Sequence, residues 1–480
     1  MKRPWRLLAA VSASALATSA AIPAVASAHG LVGKQDLPIP RWLFAWAAAI
    51  VLVLSFAALA ALWTRTRWED GVPARTVLRV PRFVEPLCGL VGIAIFALGV
   101  YAGLAGSEQV NENLLPTLVY VLFWVGLAFA CAVLGDVFRP FNPWLALGRG
   151  VGWAARRVAG NALPEPLPYP ERLGRWPAVA GIFCFAWLEL VYTDKDNPKK
   201  LAILALAYAA VQLVAMSLYG ADAWRRRGDA FSVYFNLFSR LAPLHWRDRR
   251  LQVRPPLAGV TRTHAVPGTV ALLCVMIGST SFDGFSQGRI WNGSNEFRGI
   301  AEPMQSFFHS SLGLSLPSAL EAAFTVGLVG MVLLIAGFYR LGVEGMSTSG
   351  ERHAPQELAR RFVHTLVPIA LAYVVAHYFS LLAYQGQAVA YLASDPLGNG
   401  SDFFGTADNG INYGVIGATA VWYVQVAALV SGHVSGLVLA HDRALGVYAS
   451  LRGAARSQYW MLTVMVGFTS LGLFLLSEAA

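Results

Sequence analysis

Charge is scarce in this chain. Only 13% of its 480 residues are Asp, Glu, Lys or Arg, against 56% hydrophobic and 12% aromatic. That ratio excludes an ordinary soluble domain, because no sizeable polar stretch is left between the apolar runs. Cysteine is sparse as well: Cys88, Cys131, Cys184 and Cys274 each stand alone in an apolar run. With no C-x-x-C and no paired spacing they read as packing residues, and they do not report a redox compartment. Compact chemical motifs are missing too. There is no HExxH, CxxCH, Walker loop, dinucleotide fingerprint or GxSxG, so nucleotide-driven transport and Ser-triad hydrolysis have no support. A net charge of +10 suggests nucleic acid at first sight. The arginines flank apolar runs instead of interleaving with aromatics on a polar surface, which points to membrane orientation and excludes nucleic acid as the partner.

What is present is a series of long apolar runs. The first follows a basic start (Lys2, Arg3, Arg6) and ends at Ala26-Ser27-Ala28, which fits a secretory signal over residues 1–28 cleaved before His29. Ten more fall near 41–63, 84–106, 114–134, 176–192, 201–220, 266–281, 317–339, 361–384, 413–440 and 458–478. Most are long enough to cross a hydrocarbon core of about 30 Å as helices, which satisfy their own backbone polar groups. The expectation is an all-α polytopic bundle of ten spans forming a single domain over 29–480. If residue 29 lies outside, the loops 64–83, 135–175, 221–265, 340–361 and 441–457 face the cytoplasm and hold 27 of the 37 Lys and Arg residues. The positive-inside rule demands that asymmetry, so both termini are expected outside. Small-residue pairs, Gly99 with Gly103, Gly410 with Gly414 and Gly432 with Gly436, are expected to let helices approach closely.

Against this apolar background four of the nine histidines stand out: His364 and His377 in or beside one run, His433 and His441 in or beside the next. Ionisable side chains at membrane depth are costly and default to a functional hypothesis. In the run around 361–384, Tyr373, His377, Ser380 and Tyr384 fall on one helical face, with Pro368 expected to perturb the helix below them. In the next run His433 lies between Gly432 and Gly436, and Gln425 is a further polar group near mid-span. At about 1.5 Å per residue, His364 and His441 lie within a turn of the cytoplasmic edge, His433 about 10 Å in and His377 about 20 Å in. His364 and His441 therefore read as rim residues bonded between helices, whereas His377 and His433 point to function. Imidazole ligands would suit zinc or copper. A haem held between His377 and His433 is disfavoured by their difference in depth.

Three further groups complete the candidates. If cleavage follows Ala28, the α-amino group and ring of His29 can chelate copper, an arrangement that resembles the N-terminal histidine of periplasmic copper carriers and copper oxygenases. At the expected outer mouth, Asp283 in SFDGF and His309 could bind a metal or activate water, although Asp283 with Gly284 also suits a simple turn. Glu189 and Glu321, near the outer ends of their spans, are secondary candidates for a proton path.

The segments HGLVGKQDLPIPRWLFAWAAAIVLVLSF, STSFDGF, AHYFSLLAYQGQ and GHVSGLVLAHDRAL together resemble a family of bacterial, especially actinobacterial, multispanning membrane proteins labelled fenitrothion hydrolase. The resemblance runs along the whole mature chain. It implies a multi-pass protein of the bacterial inner membrane that cleaves a lipophilic aryl phosphotriester, with metal-activated water as a sensible route; it carries no set of catalytic residues. From the residues alone, two other readings stay open: a copper- or haem-binding membrane protein in metal handling, electron transfer or transport, and a scaffold whose histidines only bond helices together. N-terminal sequencing of the purified protein is expected to begin at His29; a chain beginning at Met1 would remove the copper-chelating terminus.

Overall fold

The computed structural model describes residues 41–68, 72–160, 164–294, 297–348 and 353–479. His29 and the expected signal lie outside these residues. Within them the chain is an all-α bundle. The principal helices are α1 (Arg41–Leu62), α2 (Val84–Ala105), α3 (Leu114–Leu134), α4 (Pro143–Ala159), α5 (Trp176–Leu190), α6 (Pro198–Tyr219), α7 (Ala221–Arg227) and α8 (Ala230–Ser239). After them come α9 (Thr269–Ser286), α10 (Ala301–Leu312), α11 (Leu316–Ser347), α12 (Pro355–Phe362), α13 (Leu366–Gln385), α14 (Ala418–Val447) and α15 (Leu451–Ala479). Among the described residues, seven helical segments are long and apolar enough to cross a membrane, with α1 and α5 supplying shorter apolar stretches. Leu54, Leu90, Val211 and Leu333 are exposed on these helices, as side chains solvated by lipid should be. The protein is a multi-pass helical membrane protein.

Local sequence explains where many helices begin. Asn142-Pro143 and Asn197-Pro198 start α4 and α6, the Asn side chain accepting from the backbone N–H of Leu145 and Lys200 while Pro occupies the first turn. Asp229 and Ser315 cap α8 and α11 in the same way. The eighth apolar run is broken by a 3₁₀ turn over Val363–Thr365, which places Pro368 in the first turn of α13, where its missing N–H costs nothing.

The loops sort onto two faces as alternating spans require. On one face Asp442 accepts from Trp63 Nε1 and the backbone N–H groups of Arg67 and Trp68, and Arg443 donates to Thr261 O. There too Arg149 joins Glu85 and Asp222. The opposite face brings Ser107 and Leu114 to Leu397 and Pro396, and Thr193 to Glu321. The first group contains the arginine-rich loops. It also holds a small antiparallel sheet of β1 (Arg75–Arg79), β2 (Leu244–Arg247) and β3 (Arg250–Val253), ordered β1-β3-β2. Its hairpin turns through Asp248 and Arg249 at positive φ, values of 49° and 60°.

Helix ends differ from the expected bounds in two consequential places. α9 runs on to Ser286, so Asp283 is helical and buried, not part of a mouth loop. α14 starts only at Ala418, which leaves Gly410 and Gly414 outside any helix. Gly432 does what the small-residue pattern predicts. A Cβ there would lie 2.2 Å from Ala372 Cβ and 2.9 Å from Pro368 O, so only glycine allows α13 and α14 to pack at this spacing. Gly432→Leu is expected to lower stability in detergent by about 1–3 kcal/mol. Gly330→Leu, where nothing lies within 4 Å, is expected to have little effect; thermal unfolding of the two variants checks the difference.

Candidate functional site

Two residues proposed on separate grounds, Asp283 and His377, meet. One sits three residues from the end of α9 and the other at the middle of α13, and Nε2 of His377 lies 2.8 Å from Oδ2 of Asp283. The same carboxylate oxygen accepts from Tyr378 Oη at 2.8 Å, and Oδ1 accepts from Gln287 Nε2 at 3.3 Å, one helical turn on. The cluster is nearly enclosed: the Asp283 side chain is 10% exposed and that of His377 21%. Successive residues of α13 thus converge on one carboxylate.

The geometry fixes what the imidazole can do. With Nε2 held by Asp283, Nδ1 is the free position, and among the described residues it has no partner. The space beside it is bounded by Gly284, whose absent Cβ would have stood 3.6 Å from Nδ1. Glu189 belongs to the same neighbourhood, within electrostatic reach of Asp283 and close to Tyr378 and Trp124. Lys195 closes the outer side by donating from Nζ to the Glu189 carbonyl at 2.8 Å.

The remaining candidates separate. His433 is fully buried, and Nδ1 donates to Leu429 O of its own helix at 2.7 Å, with the ring edges of Tyr373 and Phe468 beside it. Nδ1 of His364 lies 3.0 Å from Arg361 O, again within its own segment. His441 reaches further: Nε2 donates to Trp63 O at 3.0 Å, beside the Asp442 clamp, so this neighbouring pair fastens the end of α1 to α14. His309 is exposed on α10, its Nδ1 2.7 Å from Leu314 O. The polar stripe of α13 is divided among partners. Tyr373 Oη donates to Phe468 O and Tyr384 Oη to Ile416 O. Gln425 is half-buried in α14, and Glu321 is tied to Thr193.

Among the described residues no three His, Cys, Asp or Glu side chains converge on one point. Asp283 and His377 offer two donors, short of the three protein ligands that a catalytic zinc ordinarily takes. Sequence reasoning missed Tyr378 and Gln287. The adjacency of Tyr378 to His377 and the four-residue spacing of Asp283 and Gln287 were the available signals. Comparison with family models, with curated proteins and with solved structures finds no match.

Nε2 of His433 is buried without a hydrogen-bond partner. Replacing the ring by an apolar side chain removes this unsatisfied atom together with the Nδ1 bond to Leu429 O, a net hydrogen bond of about 0.5–1.5 kcal/mol, so the two effects oppose each other. His433→Leu is accordingly expected to change unfolding free energy by less than about 1 kcal/mol; a large loss in a detergent melt would reveal a partner for this ring.

Proposed function

We propose that the protein is a membrane-embedded hydrolase whose acid–base centre is the Asp283–His377 pair. The observation that carries this reading is the imidazole itself: one nitrogen is bonded to a buried carboxylate, and the other, beside Gly284, has no partner among the described residues. An imidazole so held has a fixed tautomer and an available base, the arrangement by which a water is activated. His377 Nδ1 takes the proton of a water, whose oxygen forms the new bond to the electrophile. Asp283 stabilises the imidazolium that results, with Tyr378 and Gln287 holding the carboxylate in place.

The resemblance supplies the substrate class, an aryl phosphotriester of the fenitrothion kind. Attack then forms a phosphorus–oxygen bond and breaks the bond to the aryl oxygen. A nitrophenolate leaves without needing a proton, and the proton on His377 returns to solvent. Lipophilic esters partition into the bilayer, so a site within the bundle suits them. Orientation by the positive-inside rule places this site toward the outer half of a bacterial inner membrane.

A second reading is favoured by Glu189. A second carboxylate within reach of Asp283 and Tyr378 is what a proton path through the membrane uses. The two readings separate on what is lost. For hydrolysis, His377→Ala is expected to lower kcat on a nitrophenyl phosphotriester by roughly 10²–10⁴. Asp283→Asn should follow it, and Tyr378→Phe should have a smaller effect, with KM little changed in each case. If the variants turn over the ester at the wild-type rate, or the wild type has no turnover, while His377→Ala abolishes proton flux in proteoliposomes, the second reading replaces the first.

A further inference from the structure

The arginine-rich face carries a second site, independent of the acid–base centre. A cavity of about 940 Å³ opens there between the segments that follow α3, flank α7 and α8, and lead into α9; nine arginines line it, against only three carboxylates, Asp136, Glu171 and Asp248. Arginine near a membrane surface is ordinary, but burial of this excess is not. Arg175 is 6% exposed and, among the described residues, its guanidinium donates only to Thr269 Oγ1, leaving Nε buried without a hydrogen bond. Arg225 is 11% exposed; its Nε makes no hydrogen bond among the described residues and stands 3.8 Å from Asp222 Oδ1, an oxygen already taken by Arg149.

Arg247 and Arg139 stand 3.5 Å and 3.9 Å from the carboxylates of Asp248 and Glu85, but Arg240 and Arg254 find neutral acceptors instead of counter-charge. Arg240 bonds Asn236 Oδ1 and Arg262 O, and Arg254 bonds Ala242 O and Ser239 O. Asp136, the acid whose charge reaches Arg240, is occupied by Asn236 Nδ2 and the backbone N–H of Arg139. Burial together with repulsion from Arg240 and its neighbours pushes both Arg175 and Arg254 down to about 10. A guanidinium stays charged at such values, so the repulsion persists until an anion enters. The concavity has the volume of a small-molecule site, and planar N–H forks match phosphate oxygens.

We infer that this cavity binds a phosphate-bearing anion. Inorganic or esterified phosphate in solution and the headgroup of an anionic phospholipid share that chemistry, because the site opens on the basic, membrane-proximal face. Buried guanidinium groups with unspent donors select a multiply charged oxyanion over chloride. The binding does not depend on the hydrolytic reading and survives its failure.

Full-length protein in a neutral detergent, melted with and without inorganic pyrophosphate and with potassium chloride at matched ionic strength, tests the inference. Nanodiscs of phosphatidylcholine with and without phosphatidic acid test the lipid source. Pyrophosphate is expected to raise Tm by about 3–5 °C where chloride does not. Arg175→Gln and Arg225→Gln should lose that shift while their unliganded Tm stays level or rises, since each relieves repulsion. Arg156→Gln, on the α4 surface away from the cavity lining, should keep it. Stabilisation by phosphatidic acid alone, lost in the same two variants, also supports the site and assigns it to lipid. Neither effect, equal effects of chloride, or a shift that persists in both variants overturns the inference.

Discussion

In a bilayer every polar group must find its partner inside the protein, because lipid offers none. The architecture follows from that requirement. It accounts for the helices, for the Asn and Asp caps at their starts, and for the way each buried histidine is anchored to a carbonyl or a carboxylate. It also explains why arginines collect on one face, where guanidinium groups can reach loop carbonyls and water. The Asp283 carboxylate is the severest case, a nearly enclosed acid that takes donors from His377, Tyr378 and Gln287. Breaking a buried pair of this kind by removing one partner commonly costs about 3–5 kcal/mol, so this carboxylate holds α9 and α13 in register.

Much of the fold was legible because period and length are local properties. Each of the ten apolar runs contains a helix, seven of them in segments long and apolar enough to cross a membrane, and the close approach at Gly432 follows from a glycine whose neighbours leave no room for a Cβ. The depth arithmetic put His377 apart from His364, His433 and His441; those three rings each bond a backbone carbonyl, whereas His377 bonds a carboxylate. Depth could not give His377 a partner. Asp283 lies 94 residues earlier in the chain, and an apolar run judged to stop near residue 281 hid the helical turn that carries it. The small sheet was invisible for a related reason: β1 and β3 are separated by the helices α2 to α8, and two residues at positive φ without glycine give no turn signal.

Charge sorting links the two faces. The loops that the positive-inside count grouped together do touch one another, through the Asp442 clamp on the end of α1, the Arg443 bond to Thr261 and the β1–β3 pairing. The grouping therefore reflects more than insertion history, since these contacts hold the first span against α14. His441 fits this picture as a fastening residue: a single bond to Trp63 O, next to Asp442, serves the same junction.

Burial alone does not distinguish a saturated acid from one whose donors keep a free group, and two carboxylates here make the difference plain. Asp229 is fully buried and saturated: Asn142, Trp144 and Ser232 donate to Oδ2, and Tyr208 and the Ser232 backbone N–H to Oδ1. None of its donors has a second nitrogen left to act as a base, so the network can only rigidify the packing of α4, α6 and α8. Asp283 is bonded almost as well, but one of its donors is an imidazole whose other nitrogen is open. Protonation at that nitrogen would be stabilised by the carboxylate across the ring, without any rearrangement of the helices. Reactivity is thus to be sought where satisfaction is incomplete by one group, and among the histidines of the bundle interior His377 alone combines a carboxylate partner with an accessible ring.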